Sequence, residues 1–296
     1  MHFLSPACAR KHISGIMLSY KDCERVAQKI LRRTLVKPEI CIICGSGLGK
    51  IAELITPLTS FRYDDIEGFP TPSVDGHDGN LIFGEYCGRN VVVMQGRPHI
   101  YEGFSMAQMA LPLRVMKMLG VHTVIITSAA GGLNPDYRVG DIVILKDHIN
   151  LMGVLGTNPL VGPNDERFGP RFIPLSKAYT KELRDIAKSA GASLNPPVDL
   201  REGIYIQVSG PCFETIAEAK LFRSFGADVV GMSNANEVVT AVHANMKVLA
   251  ISLVTNKVVV DELSSEEASH EEVLAVGEER LEAMERLISE IIKDLP

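Results

Sequence analysis

The sequence lacks any apolar run of the roughly 20 residues that a membrane-spanning helix requires. It lacks a basic surplus too: 36 acidic residues stand against 30 basic ones, a formal charge of -6. That balance argues against a nucleic acid as partner, while leaving room for a local basic pocket that holds one phosphate. The six cysteines show no secreted-type spacing, and a reducing cytoplasm is the setting expected for their thiols. There is no low-complexity tract, no repeat and no Pro/Gly/Ser linker to divide the chain. Residues 1–19 lack the continuous apolar stretch of a signal peptide and are expected to be a flexible extension. Residues 20–296 are expected to form one domain.

What the chain does contain is 46% hydrophobic residues, arranged as short β-rich runs that alternate with longer helical patterns. Ile40–Cys44, Asn90–Met94, Thr123–Thr127, Asp141–Leu145 and Lys247–Leu253 have the composition of strands buried on both faces. Helices are expected over Lys177–Ala190 and over Thr215–Phe225, the second opened by a capping box of Thr215 and Glu218. The last helix is expected to start at a second such box, Ser269 and Glu272, with Leu281, Met284, Ile288, Ile291 and Leu295 at helical spacing. Such alternation implies a three-layer α/β sandwich around a central mixed or largely parallel sheet, with ligands gathering at the carboxyl ends of its strands. Cys41 and Cys44 have the spacing of redox and zinc motifs. They lie in an isoleucine-rich strand, however, where residues i and i+3 point to opposite faces, so plain buried thiols are expected. No convincing metal-ligand cluster is evident.

After the first strand comes Gly45-Ser46-Gly47-Leu48-Gly49-Lys50. It fails the dinucleotide fingerprint, which needs glycine where Lys50 stands, and the P-loop pattern, which needs Ser or Thr where Ile51 stands. Alone it suits a tight strand-to-helix turn as well as an anion cradle. Combined with later segments it becomes specific. Gly76-His77-Asp78-Gly79, Gln95-Gly96-Arg97-Pro98-His99-Ile100-Tyr101-Glu102-Gly103, Ala129-Ala130-Gly131-Gly132-Leu133-Asn134 and Gly210-Pro211-Cys212-Phe213-Glu214-Thr215 follow in order. Gly231-Met232-Ser233 and Thr255-Asn256-Lys257-Val258 complete the series. From about Tyr20 to the C-terminus the chain resembles the trimeric purine nucleoside phosphorylase family.

The resemblance implies cleavage of 6-oxopurine nucleosides such as inosine and guanosine by inorganic phosphate, a co-substrate, with no further cofactor and no metal. It implies a phosphate site of Ser46, Arg97, His99, the Ala129 backbone and Ser233, with His77 as a gate in the Gly76–Gly79 loop. Glu214 would accept from purine N1–H, Asn256 would serve N7 and O6, and Phe213 would lie against the base. Tyr101, Met232 and His270 would surround the sugar, joined by Phe172 from a neighbouring subunit of a homotrimer. Read singly, these residues have plainer roles: Ser46 in a turn, Arg97 as a surface charge, His99 as a loop histidine, Glu214 as a helix-start acid, Phe213 in a core and His270 facing solvent.

Two departures from the family pattern flank the inferred pocket. Ser128 stands where many members carry Asn, and Asn234-Ala235-Asn236 replaces Thr-Val-Pro before Glu237. Ser233 is expected just before a helix that begins near Asn234. Two other functions fit less well. A 5'-methylthioadenosine phosphorylase calls for an acid at the position of Asn256 and an apolar group at that of His270. A non-catalytic nucleoside-binding protein would have no need for the phosphate donors.

Overall fold

Ser19 opens the first helix, α1 (Tyr20–Leu31), with a reciprocal cap: its hydroxyl accepts from Asp22 N, and the Asp22 carboxylate accepts from Ser19 N–H. The computed structural model describes residues 18–264 and 268–296, so residues 1–17 of the expected extension lie outside the described residues. Strand β1 (Ile40–Cys44) follows, buried throughout. A loop and a 3₁₀ helix (Gly49–Leu54) lead into β2 (Thr56–Arg62), β3 (Asn80–Tyr86) and β4 (Arg89–Gln95), an antiparallel meander. Then come α2 (Met106–Leu119), β5 (Thr123–Gly132), β6 (Ile142–Asn150) and the single turn α3 (Leu151–Val154). The chain continues with α4 (Lys181–Ser193), β7 (Leu200–Gln207), α5 (Ile216–Ser224), β8 (Val229–Gly231), α6 (Ala235–His243), β9 (Lys247–Lys257) and α7 (His270–Asp294).

The expected three-layer α/β arrangement is present. Along β1, Cys41 and Ile43 join the core beneath α1, α2 and α6, whereas Ile40, Ile42 and Cys44 join the core beneath α4 and α7. The period-2 alternation of a strand therefore sends the two cysteines to opposite layers. Burial raises both thiol pKa values, that of Cys44 to about 12, and neither is disulfide-bonded. On α7, Met284, Leu287, Ile288, Ile291 and Ile292 are fully buried, each worth about 1.5–3 kcal/mol of apolar transfer.

Strands β4, β1, β5 and β9 run parallel side by side. Their carboxyl ends consequently share one edge of the sheet, where the glycine loop, Gly96-Arg97, Ala129–Gly132 and Thr255–Lys257 all lie. One feature has no counterpart in the expected fold: β5, β8, β7, β6 and β9 close on one another, because β9 pairs with both β6 and β5. This closure brings Gly231, the last residue of β8, and Met232-Ser233 after it to the same edge.

Several boundaries differ from expectation. α4 starts at Lys181 because Thr180 is tied to β9, its N–H donating to Val248 O at 3.0 Å and its hydroxyl accepting from Val248 N at 3.1 Å. β5 and β9 run past their apolar segments, to Gly132 and Lys257, since each completes the other's ladder. A register shift at Ala130/Gly131 bends this pair beside the glycine loop. α5 has the expected capping box of Thr215 and Glu218. At α7 Ser269 accepts from Glu272 N. Among the described residues, no helix is long and apolar enough to cross a membrane.

Candidate active site

Gly45 sets the entry to the site. A Cβ there would lie 2.7 Å from Thr127 O and 2.8 Å from Ser128 Cα. Both are backbone atoms of the central strand β5, and neither can retreat. Only glycine lets the loop press onto β5, and Gly45 N then donates to Thr127 Oγ1 at 3.1 Å. Gly45→Ala should cost about 1–3 kcal/mol by overpacking and weaken phosphate binding, as thermal melts and phosphate KM would show.

The loop opens into a cavity of about 240 Å³. Ser46, Arg97, His99, Ala129 and Ser233 line it, together with Phe213, Glu214 and Asn256 and with Tyr101, Met232 and His270. Two of the expected residues lie elsewhere. Phe172 is 87% exposed on the segment before α4 and takes no part in this chain's own cavity. His77 is buried behind Ser46 instead of lining the space.

His77 is held by two hydrogen bonds. Its Nδ1 accepts from Arg97 N at 3.1 Å, and its Nε2 lies 3.0 Å from Ser46 Oγ. Because a backbone amide only donates, Nδ1 carries no proton and Nε2–H donates to Ser46. The serine hydroxyl is thereby left to donate into the cavity. Burial, reinforced by His99, Arg97 and His270, holds the His77 pKa well below its ordinary value, so the ring stays neutral. Gly96 allows this closeness: its φ is +95°, and a Cβ there would meet His77 Cα at 2.7 Å.

Arg97 is 1% exposed, not the surface charge that its residue type alone allows. One Nη1 proton goes to Glu237 Oε2 at 2.8 Å and the other to Asn234 Oδ1 at 3.1 Å, while Nη2 donates to Thr127 O. Nε is buried without a partner. The donors without a partner in the protein are therefore Nε–H and one Nη2–H. Burial raises the Glu237 pKa against the opposing pull of Arg97 and His99. The Asn234 side chain makes no cap hydrogen bond to α6, since it is turned toward Arg97.

His99 stacks on Tyr101, with ring centroids 4.8 Å apart and planes at 12°. The Glu102 carboxylate accepts from His99 N at 2.7 Å and from Ser73 N at 2.6 Å, and its oxygen lies 3.5 Å from His99 Nδ1. Burial raises the Glu102 pKa, but these hydrogen bonds outweigh it and the net shift is downward. Ser233 N donates to the buried Tyr205 hydroxyl at 3.1 Å, which holds the Met232-Ser233 turn in place.

In the base region Glu214 precedes α5, and burial raises its pKa. Asn256 is 5% exposed. Its Oδ1 accepts from Thr255 Oγ1 at 3.3 Å and its Nδ2 reaches Lys257 O at 3.5 Å. Both bonds are long, so the amide keeps most of its capacity for a ligand. Phe213 offers a half-exposed ring. His270 Nε2 lies 3.2 Å from Asp75 O, which ties α7 to the loop that carries Val74 over the cavity. Val74, Val230, Thr255 and Val273 also line the space. Sequence reasoning passed them over because a lone valine or threonine bears no chemical signal. Among the described residues, no group of three or more His, Cys, Asp or Glu is placed to hold a metal.

Comparison with known proteins points the same way. Residues 39–293 match the model of the phosphorylase superfamily. The chain is 46% identical to purine nucleoside phosphorylase from Rattus norvegicus, covering 94% of this chain and 96% of that one. It is 44% identical to purine nucleoside phosphorylase 1 of Bacillus subtilis (strain 168), covering 91% and 97%. The crystal structure of Schistosoma mansoni purine nucleoside phosphorylase in complex with inosine superposes with a TM-score of 0.90 at 48% identity, covering 95% of this chain and 99% of that one. With these residues lining one cavity at the strand ends, and with relatives matched over nearly its whole length, the chain belongs to the phosphorylase superfamily, among the purine nucleoside phosphorylases.

Proposed function

We propose that this enzyme catalyses phosphorolysis of 6-oxopurine ribo- and deoxyribonucleosides such as inosine and guanosine, releasing the free base and (deoxy)ribose 1-phosphate for purine salvage. One observation carries the reading: Ser46, Arg97, Glu214 and Asn256 all line a single cavity. Phosphate binds to the Ser46 hydroxyl, the free edge of Arg97, His99, the Ala129 N–H and Ser233, beneath the sugar held by Tyr101, Met232 and His270. As the glycosidic bond stretches, the sugar gains oxocarbenium character and the purine gains negative charge. Phosphate stabilises the cation and then captures C1' from the face opposite the base, inverting the anomeric centre. Asn256 donates to the departing purine at N7, while ionised Glu214 accepts from N1–H. Catalysis is thus positioning and preorganised electrostatics, without a covalent enzyme intermediate. Phosphate is a co-substrate, and the chemistry calls for no further cofactor. In the proposed assembly, a cytoplasmic homotrimer, the exposed Phe172 reaches a neighbour's sugar site.

A panel of inosine, guanosine, adenosine and 5'-methylthioadenosine with phosphate tests this reading. Preferred turnover of inosine and guanosine is expected; turnover of methylthioadenosine alone would overturn it. The raised pKa of Glu214 adds a pH signature. Its carboxylate must be ionised to accept N1–H, and protonation removes that acceptor as pH falls. The inosine KM should therefore climb on the acid side, at a pH above the ordinary glutamate value of 4.5. Glu214→Gln should have a high inosine KM without that climb. A profile unchanged by the substitution would contradict the assigned role.

A further inference from the structure

The two places where the sequence departs from the family pattern touch each other in the fold. Asn234 is fully buried, its Nδ2 donating to Ser128 Oγ at 2.8 Å and its Oδ1 accepting from Arg97 Nη1 at 3.1 Å. The guanidinium only donates, so the amide orientation is fixed: oxygen toward Arg97, nitrogen toward Ser128. Ser128 Oγ accepts from that nitrogen and shares a second hydrogen bond with Ser252 Oγ, 2.8 Å away, in which either hydroxyl can donate. The result is one connected chain from Arg97 through Asn234 and Ser128 on β5 to Ser252 on β9.

The backbone at Asn234 is arranged for this contact. Its φ is +76° and ψ is -62°, and Ala235 N donates to Ser233 O at 3.1 Å. That is a γ-turn with positive φ, a conformation that non-glycine residues seldom adopt and that requires support from its surroundings. The turn sends the Asn234 side chain toward Arg97, where an ordinary helix cap would send it to α6. It also places Ser233, on the cavity floor, one residue before the amide.

We propose that Asn234, anchored by Ser128, is a positioning residue for phosphate: it helps to fix the rotation of the Arg97 guanidinium where that side chain lines the cavity. Glu237 takes one Nη1 proton and Thr127 O accepts from Nη2. The Asn234 contact to the second Nη1 proton is the third anchor and completes the set that holds the guanidinium plane. This inference rests on the phosphorolysis reading above.

The test varies phosphate and inosine independently for the parent enzyme, Asn234→Gly, Ser128→Ala and the double variant. Glycine accepts the positive φ, so the substitution deletes the amide without straining the turn. Asn234→Gly should raise the phosphate KM about tenfold, as expected for losing a hydrogen bond to a charged group, with kcat and inosine KM within about twofold of the parent. Ser128→Ala should raise phosphate KM by roughly threefold. The double variant should be no worse than Asn234→Gly alone, because both act through one chain. An unchanged phosphate KM in Asn234→Gly, or an equal rise for phosphate and inosine, would overturn the proposal. If Asn234→Gly fails to fold, Ser128→Ala decides by the same criterion. Should the parent show no phosphate-dependent turnover, the phosphorolysis reading itself fails. Calorimetry with inorganic phosphate then judges positioning separately: weaker binding to Asn234→Gly supports it, and equal binding overturns it.

Discussion

Asn256→Ala is expected to lower kcat for inosine by about 10²–10³-fold, the range for deleting one preorganised donor from a developing anion. The donor has its effect as the bond breaks, when the purine takes up charge at N7; the neutral ground state gains less from it. The loss should therefore fall on kcat more than on inosine KM. Stability should change little, because among the described residues the amide's hydrogen bonds are long ones to Thr255 and Lys257. Steady-state kinetics with both substrates saturating, paired with a thermal melt, checks both parts. Near-normal kcat in a folded protein would remove Asn256 from the mechanism.

The second large effect concerns stability as well as activity. Arg97→Met should destabilise the fold by about 3–5 kcal/mol, because it leaves the Glu237 carboxylate buried without its cation. It should also abolish phosphate-dependent turnover. The Arg97 side chain has 1% exposure and that of Glu237 10%, so the pair is scarcely screened by solvent. Arg97→Met combined with Glu237→Leu removes both charges from the same space and should regain most of the lost stability without regaining activity. Denaturant melts of the two variants, with assays alongside, separate the roles. A double variant as unstable as the single one would show that the buried charge is not the cause.

The strands of this fold were legible where burial on both faces makes a nearly continuous apolar run, as in Ile40–Cys44. The α5 start was legible because Thr215 and Glu218 satisfy each other locally. β9 was read short because its apolar composition gives way to Thr255-Asn256-Lys257, of which Asn256 and Lys257 pair across to β5 despite their polarity. The closure of β9 onto β6 depends on partners more than 100 residues apart in sequence, with Ile142 opposite Leu253, and no local signal announces it. Among the site residues, ordered motifs located those that line the cavity but not how they are supported. Glycines around His77 suggested a free loop, whereas Gly96 serves to bring the imidazole against the Arg97 backbone. Asn234 had the spacing of a helix cap, and its positive φ turned it to a different partner.

The most direct measurement is phosphorus NMR of purified enzyme mixed with inosine and inorganic phosphate. A phosphate ester resonance should grow in step with hypoxanthine and match α-ribose 1-phosphate, the product of attack from the face opposite the base, with no base released when phosphate is omitted. Hypoxanthine formed equally well without phosphate, or no cleavage at all, would contradict an anion floor that works on the same substrate as the Glu214–Asn256 wall.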